Sequence, residues 1–181
     1  NNYLKTIIKQ INQIENLVNE FSDFARMPKP HVKQNDLIKV LDENIELLKK
    51  IDNSINFKIN NKTGKRVVIN FDNEQFNRLF FNLLKNSIES IKEKVKKTNK
   101  SLKNIDIEIN QRRDYITVNL SDTGEGFRKE TKEIIKPYYT TKENGTGLGL
   151  SIVDKIINDH NGSIKFLNTN NGAKVQIIIP K

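Results

Sequence analysis

Hydrophobic positions change rhythm several times along this chain, and each change marks an element. From residue 2 to 26 the apolar residues Leu4, Ile7, Ile11, Ile14, Val18, Phe21 and Ala25 follow alternating steps of three and four. That spacing is an a/d heptad seam on a single helix. Asn12, Glu15, Asn16 and Asn19 fill its other faces. So narrow a stripe calls for partner helices in a bundle or coiled coil; the alternative is an amphipathic helix lying on its own domain. The segment MPKP at 27–30 ends the helix, because proline lacks an N–H and restricts the residue before it. We read it as a linker, which divides the chain into an arm (1–30) and a domain (31–181).

The domain begins with HVKQND (31–36), a short strand whose Asn35 or Asp36 caps a helix over 37–50. NSINFKIN (53–60) alternates, with Ile55, Phe57 and Ile59 on one face, and RVVINFD (66–72) is a second, shorter strand. Asp72, with Gln75 three residues on, has the spacing of a capping box for a helix over 73–96. IDIEIN (105–110) and YITVNLSD (115–122) alternate on either side of a tight connection at 111–114 and form an antiparallel hairpin. Residues 123–145 are irregular and carry glycine, and a helix over 146–160 stops at Asn161-Gly162. GSIKFLN (162–168) and AKVQIIIP (173–180) are closing strands joined through Asn170, Asn171 and Gly172. The chain shows no internal repeat. The predicted fold class is α+β: a two-layer sandwich with a mixed sheet, helices on one face, and one long helix in front.

Composition narrows this picture without redirecting it. A length of 181 residues suits one good-sized domain plus an extension, and 35% hydrophobic residues suit a soluble chain. No apolar run approaches a membrane span or a signal peptide. The absence of cysteine excludes disulfides and cysteine-ligated zinc and fits a reducing cytosol. The net charge of +9 invites a nucleic-acid reading. However, the densest basic stretch, KEKVKKTNKSLK at 92–103, has no aromatic residue on which a base could stack, and reads as a frayed helix end entering a solvated loop. No nucleic-acid partner is expected.

Candidate chemistry lies elsewhere. On the helix over 73–96, Phe76, Leu79, Phe80, Leu83, Ser87 and Ile91 trace a buried face, flanked by a polar stripe of Asn82, Asn86 and Glu89. Asparagines are poor helix formers, so beside a core they need a purpose. They either hydrogen-bond neighbouring loops or offer a carbonyl oxygen to a hard cation such as Mg²⁺. Asp122 opens the turn DTGEG. Its carboxylate only accepts hydrogen bonds, which suits the exocyclic amino group of adenine and disfavours the guanine carbonyl. Gly124 and Gly126 let backbone approach a flat base, or mark an ordinary strand-end turn. Gly145, Gly147 and Gly149 precede and open a helix, where unsatisfied N–H groups and the helix dipole favour phosphate. They fit neither the dinucleotide fingerprint nor a Walker loop.

NLLKN (82–86), DTGEGF (122–127), PYYTTK (137–142), GTGLGL (145–150) and NGA (171–173) follow one another in this order. Together they resemble the boxes of the ATP-binding catalytic domain of bacterial sensor histidine kinases, within the wider group that holds gyrase, Hsp90 and MutL. The resemblance implies a Bergerat-type fold with a mostly antiparallel sheet, and Mg-ATP as ligand. It implies that Asn86 ligates magnesium, Asn82 supports it and Asp122 reads adenine. Gly124, Gly126, Thr141, Lys142, Gly145, Thr146, Gly147, Leu148 and Gly149 would complete the nucleotide site, with Lys142 meeting phosphate as a point charge. Residues 128–144 would form a lid over it. In the gyrase, Hsp90 and MutL branches a glutamate one turn before the metal asparagine activates water. Here that place holds Asn82, which is no general base, so the resemblance favours transfer to a side chain over hydrolysis.

The first helix, ending in FSDFARMPKP (21–30), resembles the second helix of the dimerisation and histidine-phosphotransfer hairpin, most like the NtrY type of nitrogen-regulation sensors. The expected partners are therefore ATP, the histidine-bearing hairpin of the parent kinase, a second copy in the parent dimer, and a response regulator. The expected location is cytoplasmic, with the parent anchored in the inner membrane. Neither His31, in the linker, nor His160, at a helix end, has the context of a phosphate acceptor. The competing readings are an ATP-binding regulatory module without transfer activity, an anti-sigma-type serine kinase, which should lack the heptad arm, and a nucleic-acid-binding protein.

Overall fold

The computed structural model describes residues 2–64, 66–98, 102–129, 131–142 and 145–181. Expectations for residue 1 of the arm, for 99–101 in the basic stretch, and for 130, 143 and 144 in the lid lie outside the described residues. The elements run α1 (Asn2–Ala25), β1 (Lys33–Asp36), α2 (Leu37–Ile51), β2 (Asn56–Asn61), β3 (Val68–Phe71), α3 (Asn73–Thr98), β4 (Asn104–Gln111), β5 (Tyr115–Asp122), α4 (Thr131–Ile134), α5 (Gly149–Asp159), β6 (Ser163–Asn168) and β7 (Ala173–Pro180).

Five strands form one mixed sheet in the order β2-β4-β5-β7-β6. Only the β2–β4 pair is parallel. Parallel neighbours need a long crossover, and the crossover here contains α3 and so lays that helix over the sheet. Ile105, Ile107 and Ile109 of β4, Ile116, Val118 and Leu120 of β5, and Val175, Ile177 and Ile179 of β7 are all buried. Their alternation is the period-2 signature of a sheet covered on one face. The cover consists of α2, α3 and α5: Leu37, Leu41 and Ile45 of α2, Phe76, Phe80 and Leu83 of α3, and Ile152, Ile156 and Ile157 of α5 share one core with the strands. The two-layer α+β sandwich expected from the sequence is therefore the fold observed.

Several local expectations change. β3 does not join the main sheet. It pairs antiparallel with β1 in a two-stranded ribbon, burying Ile69 and Phe71 while Val68 faces out. The helix expected from 146 starts at Gly149, because Gly147 has φ +72° and cannot continue a right-handed turn. The short helix α4 was not foreseen. On α1 the seam residues Leu4, Ile7, Ile11, Ile14 and Val18 are exposed. Contact with the core comes instead from Leu17, Phe24 and Met27, so the seam from Leu4 to Val18 does not lie on the domain.

The start of α3 shows how the arm, the linker and the last helix are tied together. The Asp72 carboxylate accepts from Gln75 N at 3.0 Å, capping the helix, and from His31 N of the linker at 2.6 Å. The predicted capping box closes differently, however. The N–H of Asp72 donates to His160 Nε2 at 3.0 Å, while Gln75 Nε2 donates to the Pro28 carbonyl at 3.0 Å. The His160 ring is buried edge-on to Phe76, its Nδ1 2.8 Å from the Ile156 carbonyl. With Nε2 facing a donor, Nδ1 carries the proton. The Asp72→Ala variant removes a cap and orphans a second backbone donor. It should lose about 1–3 kcal/mol of stability, read as a lower urea midpoint with an unchanged slope.

Candidate functional site

One side of α3, beside its core-facing stripe, carries a run of polar groups that meet the loops around the glycine turns. Asn82, Asn86, Ser87, Ser90 and Lys94 recur at helical spacing along it. At its middle lies Asp122, the last residue of β5. It is only 7% exposed, and three donors surround its carboxylate. Ser87 Oγ donates to Oδ2 at 3.0 Å, while Gly124 N at 2.8 Å and Ala173 N at 3.3 Å share Oδ1. Burial pushes the carboxyl above the usual carboxylate range; the hydrogen bonds from Gly124, Ser87 and Ala173, and the charge of Lys94, pull it part of the way back.

The two turns around Asp122 pack backbone against backbone. A Cβ on Gly172 would stand 2.2 Å from the Asp122 carbonyl oxygen and 2.8 Å from Gly124 N, so only glycine fits there. A Cβ on Gly124 would in turn meet Ser90 Oγ at 2.3 Å, and that hydroxyl accepts from Glu125 N at 2.9 Å. Gly126, with φ +80°, lies further out, against Asn168. Asn168 exchanges hydrogen bonds with Phe127, Oδ1 accepting from its N–H at 2.7 Å and Nδ2 donating to its carbonyl at 2.9 Å.

Toward the N-terminal end of α3 the surroundings change from carboxylate to amide and ammonium. Asn82 Nδ2 donates to the Arg78 carbonyl at 2.9 Å. Its Oδ1 lies 3.1 Å from where a Cβ on Gly149 would sit, and Asn86 Nδ2 lies 3.8 Å from the same point. The start of α5 is thus seated against both asparagines, and no side chain caps it at Leu148. Lys142 Nζ donates to Asn86 Oδ1 at 2.9 Å and is ion-paired with Glu89. An ammonium therefore sits on the oxygen expected to serve a metal.

The structure brings Asn82, Asn86, Lys142 and Gly149 into one cluster, and Asp122 and Gly124 into a second, one helical residue further along at Ser87. The other candidates are more scattered. Leu148 is a fully buried core residue, and Thr141 is exposed. Gly145 packs on Thr140, and Gly147 lies so close to the Tyr138 backbone that a Cβ would meet it at 2.4 Å. Thr146 is held by Glu20 of α1, and Tyr138 stacks with Phe21 at 6.2 Å. Sequence reading missed Ser87 as a polar partner, along with Ser90 and Lys94, and gave Gly172 no role beyond its place in NGA (171–173). The usable signal was the spacing of 87, 90 and 94 down one helix side.

Residues 71–181 match the family described as histidine kinase-, DNA gyrase B-, and HSP90-like ATPase. The chain belongs to that family. Within it, the chain is 34% identical over 175 residues to a putative sensor histidine kinase, NtrY-like, of Rickettsia bellii, covering 96% of this chain and 28% of that protein. It is likewise 34% identical over 161 residues to the nitrogen regulation protein NtrY of Azorhizobium caulinodans, covering 88% of this chain and 20% of that one. The chain thus spans between a fifth and three-tenths of these relatives' length. The solved catalytic domain of histidine kinase ThkA superposes with a TM-score of 0.71 at 26% identity, covering 83% of this chain and 98% of that one. Full-length ShkA, solved in complex with AMPPNP, shares the fold at a TM-score of 0.78 and 18% identity, over 99% of this chain and 38% of that one. The matched region is the ATP-binding catalytic domain of the family's sensor histidine kinase branch.

The Asp122 environment makes a pH-dependent prediction. Its carboxyl takes up a proton more readily folded than unfolded. Its contribution to stability is therefore complete below the unfolded value and fades as pH rises through the folded one. Asp122→Asn cannot ionise and keeps an acceptor for Gly124 and Ala173. Melting curves between about pH 4 and about pH 7 should show the variant gaining on the parent as pH rises. A gap that shrinks with rising pH would contradict this.

Proposed function

We propose that this chain binds Mg-ATP along α3 and is the catalytic portion of a sensor histidine kinase. On this reading it transfers the γ-phosphoryl group to a histidine on a separate hairpin helix, for relay to a response regulator. The observation that carries the proposal is the buried Asp122 carboxylate, fixed by Ser87 one residue from the Asn86–Lys142 contact. An acceptor-only group at one end and an amide, an ammonium and a helix start at the other suit the two ends of an adenine nucleotide.

The roles follow from position. Asp122 accepts the adenine amino proton and leaves a guanine carbonyl without a donor. Lys142 and the backbone at the start of α5 neutralise phosphate charge, which is most of what phosphoryl transfer asks of a protein. The oxygens of Asn86 and Glu89 are the hard donors that Mg²⁺ prefers, and they already accommodate a positive charge in Lys142. The residues therefore fit the ion, and Asn86 would hold it. Bound there, it would supply charge neutralisation for the phosphates. Lys142 and the ion would compete for the Asn86 oxygen, since two cations repel there, and a Lys142 released from it would be free to meet phosphate. In the transfer, the bond between the γ-phosphorus and its bridging oxygen breaks, a nitrogen–phosphorus bond forms on the acceptor imidazole, and ADP leaves. The acceptor is not His160, whose two ring nitrogens are both engaged.

We further propose that α1 is the second helix of the dimerisation hairpin, with 27–30 as its linker and 31–181 as the catalytic domain. The exposed seam Leu4–Val18 supports this, as it offers the parent's other hairpin helix, and a second copy, a surface to cover.

Calorimetry should show ATP binding that requires magnesium and no measurable binding of GTP. Asn86→Ala should weaken the magnesium-dependent affinity at least about tenfold, and Asp122→Asn should abolish adenine-nucleotide binding in a folded protein. Radiolabelled ATP mixed with this chain and a histidine-bearing hairpin should label the hairpin in an acid-labile form and leave this chain unlabelled. Equal affinity for ATP and GTP would defeat the nucleotide assignment, and label on the chain alone would defeat the assignment of the acceptor.

A further inference from the structure

The basic stretch after residue 92 looks solvated in sequence, yet one of its lysines reaches into the site. Lys94 Nζ donates to the Gly124 carbonyl at 2.9 Å and to the Asn171 carbonyl at 2.6 Å. These acceptors belong to different turns. Gly124 follows β5, and its N–H holds Asp122; Asn171 precedes β7, and Ala173 N, two residues on, holds the same carboxylate oxygen. Lys94 thus spans the two turns whose amides fix Asp122. Between them the backbones are in contact at Gly172, where no side chain fits. Two carbonyl dipoles aimed at a common point repel unless a cation lies between them, and charge-assisted bonds of this kind are the stronger ones.

We propose that Lys94 is a positioning residue for base recognition, clasping the two turns so that the Asp122 carboxylate is held in line for an adenine amino group. The inference rests on the nucleotide reading above. The clasp leaves the phosphate end alone, because Asn82, Asn86, Lys142 and the start of α5 make none of its contacts. Loss of Lys94 should therefore weaken binding of the base without weakening binding of phosphate. Neighbouring Lys97 pairs with Glu125, which also pairs with Arg128. Those exposed pairs buttress the outside of the same turn and contribute little.

The test compares Lys94→Met and Lys94→Arg with the parent chain by calorimetry, using Mg-ATP and Mg-tripolyphosphate as probes. Lys94→Met keeps most of the stem and removes the charge. It should lose about tenfold in ATP affinity with tripolyphosphate affinity unchanged. Lys94→Arg, which still carries donors for both carbonyls, should recover most of the loss. Unchanged ATP binding in Lys94→Met, equal losses for both probes, or no recovery with arginine would each overturn the proposal. Should Lys94→Met fail to fold, Lys94→Gln supplies the same comparison with a neutral donor. If the parent chain itself binds no ATP, the nucleotide reading falls and this inference falls with it. If the parent binds and Lys94→Met binds equally, only the inference falls.

Discussion

A carboxylate out of water is costly unless donors replace the lost hydration, and much of this domain can be understood as the supply of those donors to Asp122. One comes from a helix, as the Ser87 hydroxyl. Two come from backbone, at Gly124 and Ala173. Delivering them needs α3 pressed onto β5 and the turn before β7 folded beside the turn after β5. The sheet order, with β7 next to β5 and the β2–β4 crossover carrying α3, brings both about. The buried isoleucines and phenylalanines supply the adhesion, while Asp122 dictates which polar edge of α3 they must leave toward the turns.

α3 does two jobs on adjacent stripes. Phe76, Leu79, Phe80 and Leu83 are buried, and one step around the helix Asn82, Asn86, Ser90 and Lys94 meet loops. The apolar stripe, and Asn82 and Asn86 of the polar one, were visible in the sequence because helical spacing projects directly onto a face. The same holds for β4 and β5, whose alternation announced strands with one buried face. Asp122, Asn86 and the glycine runs were legible as candidates because their residue types are improbable in ordinary elements at those places. The family match supports the fold and the reading of these motifs as nucleotide chemistry, while the role of each residue stays a proposal.

What was not legible depended on contacts distant in sequence. Nothing in RVVINFD says that β3 pairs with β1 in a separate ribbon; alternation gives a face, never a partner. The capping box was predicted from spacing alone, yet a histidine 88 residues away took the Asp72 N–H and Gln75 turned to the linker. Lys94 was hidden among similar lysines, since composition cannot distinguish a side chain that points to water from one that finds two carbonyls. The contacts of α1 with the glycine loop, Glu20 to Thr146 and Phe21 to Tyr138, likewise join segments whose patterns are independent.

The acceptors of Lys94 are peptide oxygens, which every amino acid supplies. The clasp is therefore blind to the side chains at the positions it grips. Asn171 is free to change so long as the main chain keeps its path, whereas Gly124, Gly172 and Asp122, held by shape and by charge, have no such latitude. Variation among relatives should accordingly collect at the outer turn positions and thin out toward the carboxylate.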